Sequence, residues 1–227
     1  MNFYNLCFHK ISYELSFMKT EVINIHPDNP QPRLVKYVAK KITAGAIFVF
    51  PTDSGFSIGS ALENKSGVEK IRGIRNLSKR HDFTLMLNSI SQIGEFAKLD
   101  NDAFRILKRT LPGQFTFILE ATREAPNRLV HPKKRTIGVR IPDNSFVQDL
   151  IEELGEPFMS VSLIIDEVEF IDTNDVIDKL QNKVDIIIDS GFCLPTPTTV
   201  IDFTRNPYEI VRYGAGDTSS IFGWGII

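Results

Sequence analysis

The sequence predicts an α/β protein, and three observations carry that prediction. Segments with the apolar spacing of strands and of helices alternate along most of the 227 residues. Residues 46–50 form a continuous apolar run, which is typical of a strand buried on both faces of a sheet. The composition, with 42% hydrophobic and 24% charged residues, is that of an ordinary globular protein. Because no linker or repeat divides the chain, we predict a single domain over residues 18–227.

The first elements are defined by apolar periodicity and by turn residues. Residues 21–25 have the character of a short strand, and residues 32–44 that of an amphipathic helix. Gly45 follows this helix as its C-terminal stop. Pro51 follows the central apolar run and is expected to end that strand, because proline lacks a backbone N–H. A further strand is predicted at residues 56–61.

The middle of the chain combines strands with capped helices. Ser66, Ser89 and Asp100 are expected to begin helices, since their side chains accept hydrogen bonds from the backbone N–H groups of a first turn. The last of these helices has a predicted core stripe of Phe104, Ile106 and Leu107. Strands are predicted at residues 83–87, 114–120 and 136–141.

The final third repeats the alternation. Asn144 or Ser145 is expected to begin a helix that ends at Gly155. A strand at residues 158–163 places Ser160 and Ser162 on one face, because side chains two residues apart point the same way. The remaining predicted elements are a helix at 173–182, a strand at 184–188, and paired strands at 199–203 and 208–213. We expect antiparallel pairs near the sheet edges and the chain end.

The net charge of -2 conceals an asymmetry. Residues 105–140 contain nine basic and two acidic residues, whereas residues 149–189 contain twelve acidic and two basic ones. Such an imbalance favours a basic surface that binds phosphates, although a solvated charged face is the alternative. The candidate RNA-binding residues are Lys108, Arg109, Lys133, Lys134 and Arg135.

Several classes of protein do not fit the sequence. Cys7 and Cys193 do not make a disulfide framework, and neither has the spacing of a metal site. Four scattered histidines form no zinc motif, and there is no phosphate-binding loop or Ser-His-Asp pattern. We therefore predict no protein-bound metal and a reducing, cytoplasmic environment. The sequence does not determine the oligomeric state.

Residues 1–17 are rich in aromatic side chains but contain His9, Lys10 and Glu14. Because of these polar residues, no uninterrupted apolar stretch in this segment is long enough for a signal-peptide core or a membrane span. We predict an unpacked leader and no membrane association. A packed N-terminal helix is the alternative.

Small hydroxyl groups and arginines recur at the ends of predicted strands. Hydroxyls, guanidinium groups and the amides of glycine-containing turns together suit carboxylate and phosphate ligands. Each of these residues by itself is as well explained by a structural role, so the prediction depends on the set. The set consists of Thr52, Ser54, Arg140, Ser160, Ser162, Thr198, Thr199 and Arg212.

Five segments in order resemble the YrdC and YciO proteins, which are threonylcarbamoyl-AMP synthase-like. The segments are PTDSGFSIG, LPGQFTFIL, TIGVRIP, PTTVID and VRYGAGD. This resemblance implies a single twisted, mixed, open sheet flanked by helices, with a large concave and positively charged cavity. It also implies synthesis of threonylcarbamoyl-AMP from threonine, bicarbonate and ATP, with Mg2+ accompanying ATP, and binding of tRNA or double-stranded RNA.

The resemblance also suggests roles for single residues. Thr52 is expected to contact threonine, and the other hydroxyls and arginines of the set to line the nucleotide and threonine pockets. Arg75, Lys79 and Arg80 are the candidate catalytic cations. Their contribution depends on whether Lys79 and Arg80 point into the cavity, since outward cations favour a surface contact with RNA.

The chain departs from the synthases at two positions, and both departures resemble the YciO branch. The synthases carry Lys-x-Arg where this chain has Arg75 and Leu77, and Ser-x-Asn where it has Ser162 and Ile164. One cation and one amide are therefore replaced by apolar side chains. Three functions remain open: a synthase, a hydrolase acting on threonylcarbamoyladenosine in tRNA, and a non-enzymatic RNA-binding or ribosome-associated module.

Overall fold

The computed structural model describes residues 19–78 and 81–222. Predictions about residues 1–17, Lys79 and Arg80 lie outside this part of the chain. The helices are α1 (Pro32–Thr43), α2 (Lys65–Ile74), α3 (Ile90–Phe96), α4 (Asn101–Thr110), α5 (Ser145–Leu154), α6 (Thr173–Leu180) and α7 (Ser219–Phe222). The strands are β1 (Glu21–Asn24), β2 (Phe48–Thr52), β3 (Gly55–Ala61), β4 (Thr84–Met86), β5 (Phe115–Glu120), β6 (Thr136–Arg140), β7 (Phe158–Ser162), β8 (Ile164–Ile165), β9 (Val168–Glu169), β10 (Ile186–Asp189), β11 (Thr199–Asp202) and β12 (Glu209–Arg212).

Within the described residues, ten strands form one mixed sheet, which confirms the predicted α/β class. The strand order is β1-β10-β2-β3-β7-β4-β6-β5-β11-β12, and β8 and β9 form a separate hairpin. β2, β3, β7 and β4 make three consecutive antiparallel pairs in the centre of the sheet. The expectation that antiparallel pairs lie near the sheet edges was wrong at the β1 edge, where β1 and β10 are parallel. The central pairs are antiparallel because β2 and β3 form a hairpin and β7 inserts between β3 and β4. At the chain end, β11 and β12 are antiparallel as predicted.

The central hairpin extends further than predicted. Pro51 does not end β2, since the pairing with β3 continues from Phe48 opposite Gly59 to Thr52 opposite Gly55. On the other side of β2, strand β10 pairs only with Phe48 and Val49. Pro51 lies beyond that pairing, so its missing N–H costs no hydrogen bond to β10. β2 therefore reaches Thr52 as a regular strand.

Most helix caps are placed as predicted. Ser89, Asp100 and Asn144 each accept a hydrogen bond from a backbone N–H in the first turn of α3, α4 and α5. The prediction for α2 was wrong, because Asn64 is the cap and its Oδ1 accepts from the Gly67 N–H at 2.8 Å. Ser66 supports that cap by donating its hydroxyl to Asn64 Oδ1 at 2.9 Å.

Helix α4 presents a different apolar face from the predicted one. Its buried residues are Ala103, Leu107 and Thr110, which follow the helical repeat. Phe104 is next to Ala103 in sequence and is therefore rotated away from that face, so that 46% of it is exposed. The prediction that Phe104 belongs to the core was wrong.

The two faces of the sheet are covered to different extents. On one face, α2, α3, α4 and α6 pack into a continuous apolar core. On the other face, α1 and α5 cover β1, β10, β2 and the beginning of β7. Phe48 and Phe50 are stacked at 4.8 Å there, and both meet the edge of Phe158 at 5.2 and 5.4 Å. Neither α1 nor α5 covers the rest of this second face. None of the described helices is long and apolar enough to cross a membrane.

We predict that Gly59→Ala destabilises the protein by about 1–3 kcal/mol, because it overfills the core. A Cβ at Gly59 would lie 2.7 Å from the Met159 carbonyl oxygen and 3.3 Å from the Phe50 ring. The backbone of β7 in the middle of the sheet has little room to move. Urea unfolding with an unchanged m value is the measurement.

The matched control is Gly94→Ala in α3, where an added Cβ meets nothing within 4 Å. Alanine favours helix over glycine by about 1 kcal/mol, so this variant should be no less stable than the wild type. Equal stability of the two variants would contradict the packing described for the central strands.

Candidate functional site

A cavity of about 220 Å³ lies on the part of the sheet face that α1 and α5 leave open. Its floor is made by small hydroxyl side chains on neighbouring strands. Ser57 of β3 stands opposite Ser162 of β7, and Ser160 of β7 stands opposite Thr84 of β4. Residues that are paired in register share a face, so these hydroxyls converge on one surface.

Alternation along each strand explains why this surface is polar. In β5, Thr116 lies between Phe115 and Phe117, whose rings are buried in the core on the opposite face. Gly138 of β6 stands beside Thr84 and carries no side chain, which keeps the floor open. The same strands thus build the apolar core with one set of residues and the cavity with the other.

Arg140 lies at the end of β6, lines the cavity and is only 4% exposed. Its Nη2 forms an ion pair with Asp53 Oδ1 in the β2–β3 turn, and the other oxygen of Asp53 accepts from the Asp143 N–H at 3.1 Å. Its Nε is buried and has no hydrogen-bond partner among the described residues. Burial lowers the pKa of Arg140, and Asp53 opposes that change. The guanidinium nevertheless stays charged, because its ordinary pKa lies far above neutral pH.

The turn that carries Asp53 is fixed by residues from distant parts of the chain. Gln114 Nε2 donates to the Asp53 carbonyl oxygen and to Thr196 Oγ1, the latter at 2.9 Å. Gly55 has a φ of +113°, and a Cβ added there would lie 3.4 Å from the Pro195 Cα. A side chain at this position would therefore be strained, and the glycine lets the turn sit against residues 195–196.

Three of the sequence-predicted residues do not line the cavity: Thr52 and Thr199 bond the backbone of turns, and Ser54 Oγ lies 3.2 Å from Thr52 Oγ1. Thr52 Oγ1 donates to the Gly55 carbonyl oxygen at 2.7 Å and accepts from the Ser54 N–H at 3.1 Å. Thr199 is fully buried, donates to the Gly216 carbonyl oxygen at 2.8 Å and accepts from the Gly214 N–H at 3.0 Å. A role in ligand binding for Thr52, Ser54 and Thr199 stays a prediction.

Arg212 of β12 is held over the cavity by Thr198, the residue before β11. Its Nε donates to the Thr198 carbonyl oxygen at 3.1 Å, and its Nη2 donates to Thr198 Oγ1 at 3.0 Å. Thr198 Oγ1 also lies 2.8 Å from Thr116 Oγ1. These contacts place the side chain in one orientation before any ligand binds.

Arg75 reaches the cavity from the C-terminal end of α2. Its Nε is buried without a hydrogen-bond partner in the part of the chain that the structure describes, and burial lowers its pKa. Leu77, two residues later, packs against the apolar core. His81 and Asp82 follow in the same loop and also line the cavity.

The lining thus combines three guanidinium groups and a hydroxyl floor with an apolar wall. The wall consists of Met86, Val161, Ile164 and Val200. A volume of about 220 Å³ is smaller than the roughly 300–1,000 Å³ typical of pockets for drug-sized ligands. The cavity therefore suits an anionic group about the size of an amino acid. Among the described residues, no three His, Cys, Asp or Glu side chains are close enough to hold a metal ion.

Sequence reasoning missed several of these residues. Asp53 lies in the PTDSGFSIG segment, but no residue near it in sequence indicates that it pairs with Arg140. Thr84, Thr116 and Ser57 carried a usable signal, since each is a polar residue at an alternate position of an apolar strand. His81 carried none, because nothing in its neighbours in sequence indicates that the loop turns towards the sheet.

The predicted RNA-binding residues are distributed over separate surfaces. Lys108 and Arg109 lie in the last turn of α4, and Lys133 and Arg135 lie in the loop before β6. Lys134 lines a second groove, of about 680 Å³, which also contains Lys98 and Arg205. Lys98 is paired with Glu120. RNA binding by any of these residues stays a prediction.

The chain is similar to known proteins over most of its length. A family model, Sua5_yciO_yrdC, described as telomere recombination, matches residues 40–214. The uncharacterized protein YciO of Escherichia coli is 44% identical over 195 residues, which is 85% of this chain and 95% of that protein. The crystal structure of E. coli YciO superposes with a TM-score of 0.85, covering 89% of this chain and 99% of that one at 41% identity.

More distant proteins extend the similarity. A putative threonylcarbamoyl-AMP synthase of Methanocaldococcus jannaschii is 28% identical over 201 residues, which is 87% of this chain and 94% of that protein. P. abyssi Sua5, whose crystal structure contains L-threonine, shares the fold with a TM-score of 0.82 at 23% identity. That comparison covers 90% of this chain and 61% of the Sua5 chain.

We predict that Asp53→Asn destabilises the protein by about 3–5 kcal/mol, because it leaves the buried charge of Arg140 without a counterion. The Asp53 side chain is 10% exposed and that of Arg140 is 5% exposed. Urea unfolding monitored by circular dichroism gives the free energy.

The control is Asp166→Asn, which breaks an ion pair with Lys179 at 3.0 Å on the surface. Exposed pairs contribute at most about 1 kcal/mol, so this variant should resemble the wild type. A similar small change for Asp53→Asn would show that the Asp53–Arg140 pair does not matter for stability.

Proposed function

Because the chain belongs to the Sua5/YciO/YrdC family, we propose that its cavity binds the threonine end of a threonine-derived nucleotide in the threonylcarbamoyladenosine chemistry of tRNA. The reaction that the family favours is synthesis of threonylcarbamoyl-AMP from threonine, bicarbonate and ATP. The observation that carries the proposal is the convergence of Arg75, Arg140 and Arg212 on a floor of hydroxyl groups.

The cavity has the chemistry that such a ligand needs. The buried Nε atoms of Arg75 and Arg140 are donors without partners among the described residues, and a carboxylate or phosphate oxygen would satisfy them. Ser160 and Thr84 offer partners for a ligand hydroxyl. The relatives named threonylcarbamoyl-AMP synthase and the Sua5 structure with L-threonine support the same ligand class.

The proposed synthesis joins two anions. The amine of threonine attacks carbon dioxide, loses a proton and becomes a carbamate. A carbamate oxygen then attacks the α-phosphorus of ATP, and the bond to pyrophosphate breaks. Fixed cations offset the repulsion between carbamate and phosphate, and positioning of both reactants lowers the barrier further. Mg2+ enters with ATP as part of the substrate.

A specific observation favours a second candidate, hydrolysis of threonylcarbamoyladenosine in tRNA. Leu77 packs against the core, and Ile164 lines the cavity. By the resemblance to the synthases, Leu77 stands in the place of a cation and Ile164 in the place of an amide. In hydrolysis, water attacks the carbonyl carbon and the bond to the adenine amine breaks. The products are adenosine in tRNA and a carbamate that decomposes to threonine and carbon dioxide.

Mass spectrometry of two parallel reactions tests both candidates. The purified protein is incubated with threonine, bicarbonate, Mg2+ and ATP, and separately with tRNA that carries the modification. Threonylcarbamoyl-AMP and pyrophosphate in the first reaction establish the synthase. Loss of the threonylcarbamoyl group in the second establishes the hydrolase. Activity in neither reaction would contradict both and leave a non-enzymatic RNA-binding role.

We predict that Arg75→Gln weakens binding of threonylcarbamoyl-AMP at least tenfold, since a hydrogen bond to a charged group contributes about 1.5–3 kcal/mol. Isothermal titration calorimetry measures the affinity. Arg33→Gln makes the same charge change at an exposed position of α1 outside the cavity and should bind normally. Equal affinities for both variants would exclude Arg75 from the site.

We also propose that the basic loop before β6 binds RNA. Replacing Lys133 and Lys134 by Glu should lower the slope of log affinity against log salt by about 0.7–0.9 per lost phosphate contact. The control reverses two exposed lysines of α1, Lys36 and Lys40. Filter binding of tRNA over a salt series measures the slope. Identical slopes for both double variants would exclude a local contact at this loop.

A further inference from the structure

His81 differs from the other histidines that the structure describes. His26 Nδ1 accepts from the backbone N–H groups of Asp28 and Asn29, and His131 Nδ1 accepts from those of Lys133 and Lys134. Both rings therefore stabilise their own turns. The ring of His81 lines the cavity and has no hydrogen-bond partner among the described residues.

The charges around His81 favour its neutral form. Burial lowers its pKa, and Arg75 and Arg72 of the α2 region lower it further, while Asp82 opposes them. Arg140, which is paired with Asp53, and Arg212 are the other arginines of the cavity lining. At neutral pH the ring therefore has one nitrogen free to accept a proton. Arginine has no acceptor atom, so the cations of the lining cannot serve this purpose.

His81 is an exposed residue, and its backbone and one ring contact hold it next to the sheet. His81 packs edge to face with Phe83, with 6.4 Å between ring centroids, and its backbone N–H donates to the Ser78 carbonyl oxygen at 3.0 Å. Arg72 Nη1 donates to the same Ser78 oxygen at 2.6 Å, and the Arg72 guanidinium lies 4.9 Å from the Phe83 ring. The loop is thus attached to α2 and to the start of β4, which places the imidazole beside Arg75.

We propose that His81 is the general base of the cavity and accepts the proton that the nucleophile loses. This role rests on the proposed function and adds a residue to it. An anionic group held by Arg75 would bring the adjoining N–H or O–H nucleophile next to the imidazole. In synthesis, the threonine nitrogen bonds to carbon dioxide and its proton passes to a ring nitrogen. In hydrolysis, the water oxygen bonds to the carbonyl carbon and its proton passes to the same ring. The imidazolium then returns that proton to the adenine amine as the bond between this amine and the carbonyl carbon breaks.

The first test compares the wild type with His81→Gln in whichever of the two reactions the wild type catalyses. We expect the rate to fall at least about 100-fold, since general-base catalysis typically contributes 10²–10⁴-fold. The affinity for threonylcarbamoyl-AMP should change less than about threefold, because binding is assigned to the arginines. The rise of rate with pH, which we expect below the ordinary histidine pKa of about 6.5, should disappear. Added imidazole should partly restore the rate of His81→Ala.

The second test does not depend on turnover. Nuclear magnetic resonance titration of the His81 ring should give a pKa below the ordinary histidine value of about 6.5. Saturating AMP should raise the pKa of His81, since a nearby phosphate stabilises the imidazolium. His26→Gln, at an exposed position before α1 that lies outside the cavity lining and the proposed RNA-binding loop, is the matched control variant and should retain the wild-type rate and pH profile.

The outcomes separate the two proposals. If the wild type is active and His81→Gln has the same rate and pH profile, His81 is not the base, and the proposed function stands. If the wild type catalyses neither reaction, the proposed function and the role of His81 both fall. An ordinary pKa for His81 that AMP does not change would also overturn the role, because it would place the ring away from the bound anion.

Discussion

The structure depends on the alternation of side chains along the central strands. Each strand sends apolar residues into the core beneath α2, α3, α4 and α6, and several strands send small polar residues to the opposite face. Helices α1 and α5 cover only part of that face, against Phe48, Phe50 and Phe158. The remaining part is open and polar. A sheet with one fully packed face can carry such a surface, because stability comes from the other side.

The ion pair between Asp53 and Arg140 connects this surface to the rest of the fold. It joins the β2–β3 turn to the end of β6 across 87 positions in the sequence. A buried cation is costly without a counterion, so the pair fixes the position of both elements. Because one carboxylate oxygen accepts from the Asp143 N–H and the other pairs with Nη2, the guanidinium keeps Nε for another partner. The same residue thus contributes to stability and lines the cavity.

The apolar residues in the site region influence which chemistry the cavity can support. Leu77 packs against the apolar core and Ile164 lines the cavity, so neither residue offers a polar contact to a ligand. His81 and Asp82 add titratable groups beside Arg75. The lining therefore combines cations with a candidate for proton transfer. This combination distinguishes the cavity from a purely phosphate-binding one.

The sequence by itself determined the α/β class, most helix and strand positions and the caps at Ser89, Asp100 and Asn144, because these depend on neighbours a few residues away. The five family-like segments likewise follow from local residue order. Only the tertiary structure decided that Thr52 and Thr199 stabilise turns while Thr84, Thr116 and His81 face the cavity. It also decided the antiparallel centre of the sheet. These features depend on strand order and register between distant segments, which local propensity does not specify.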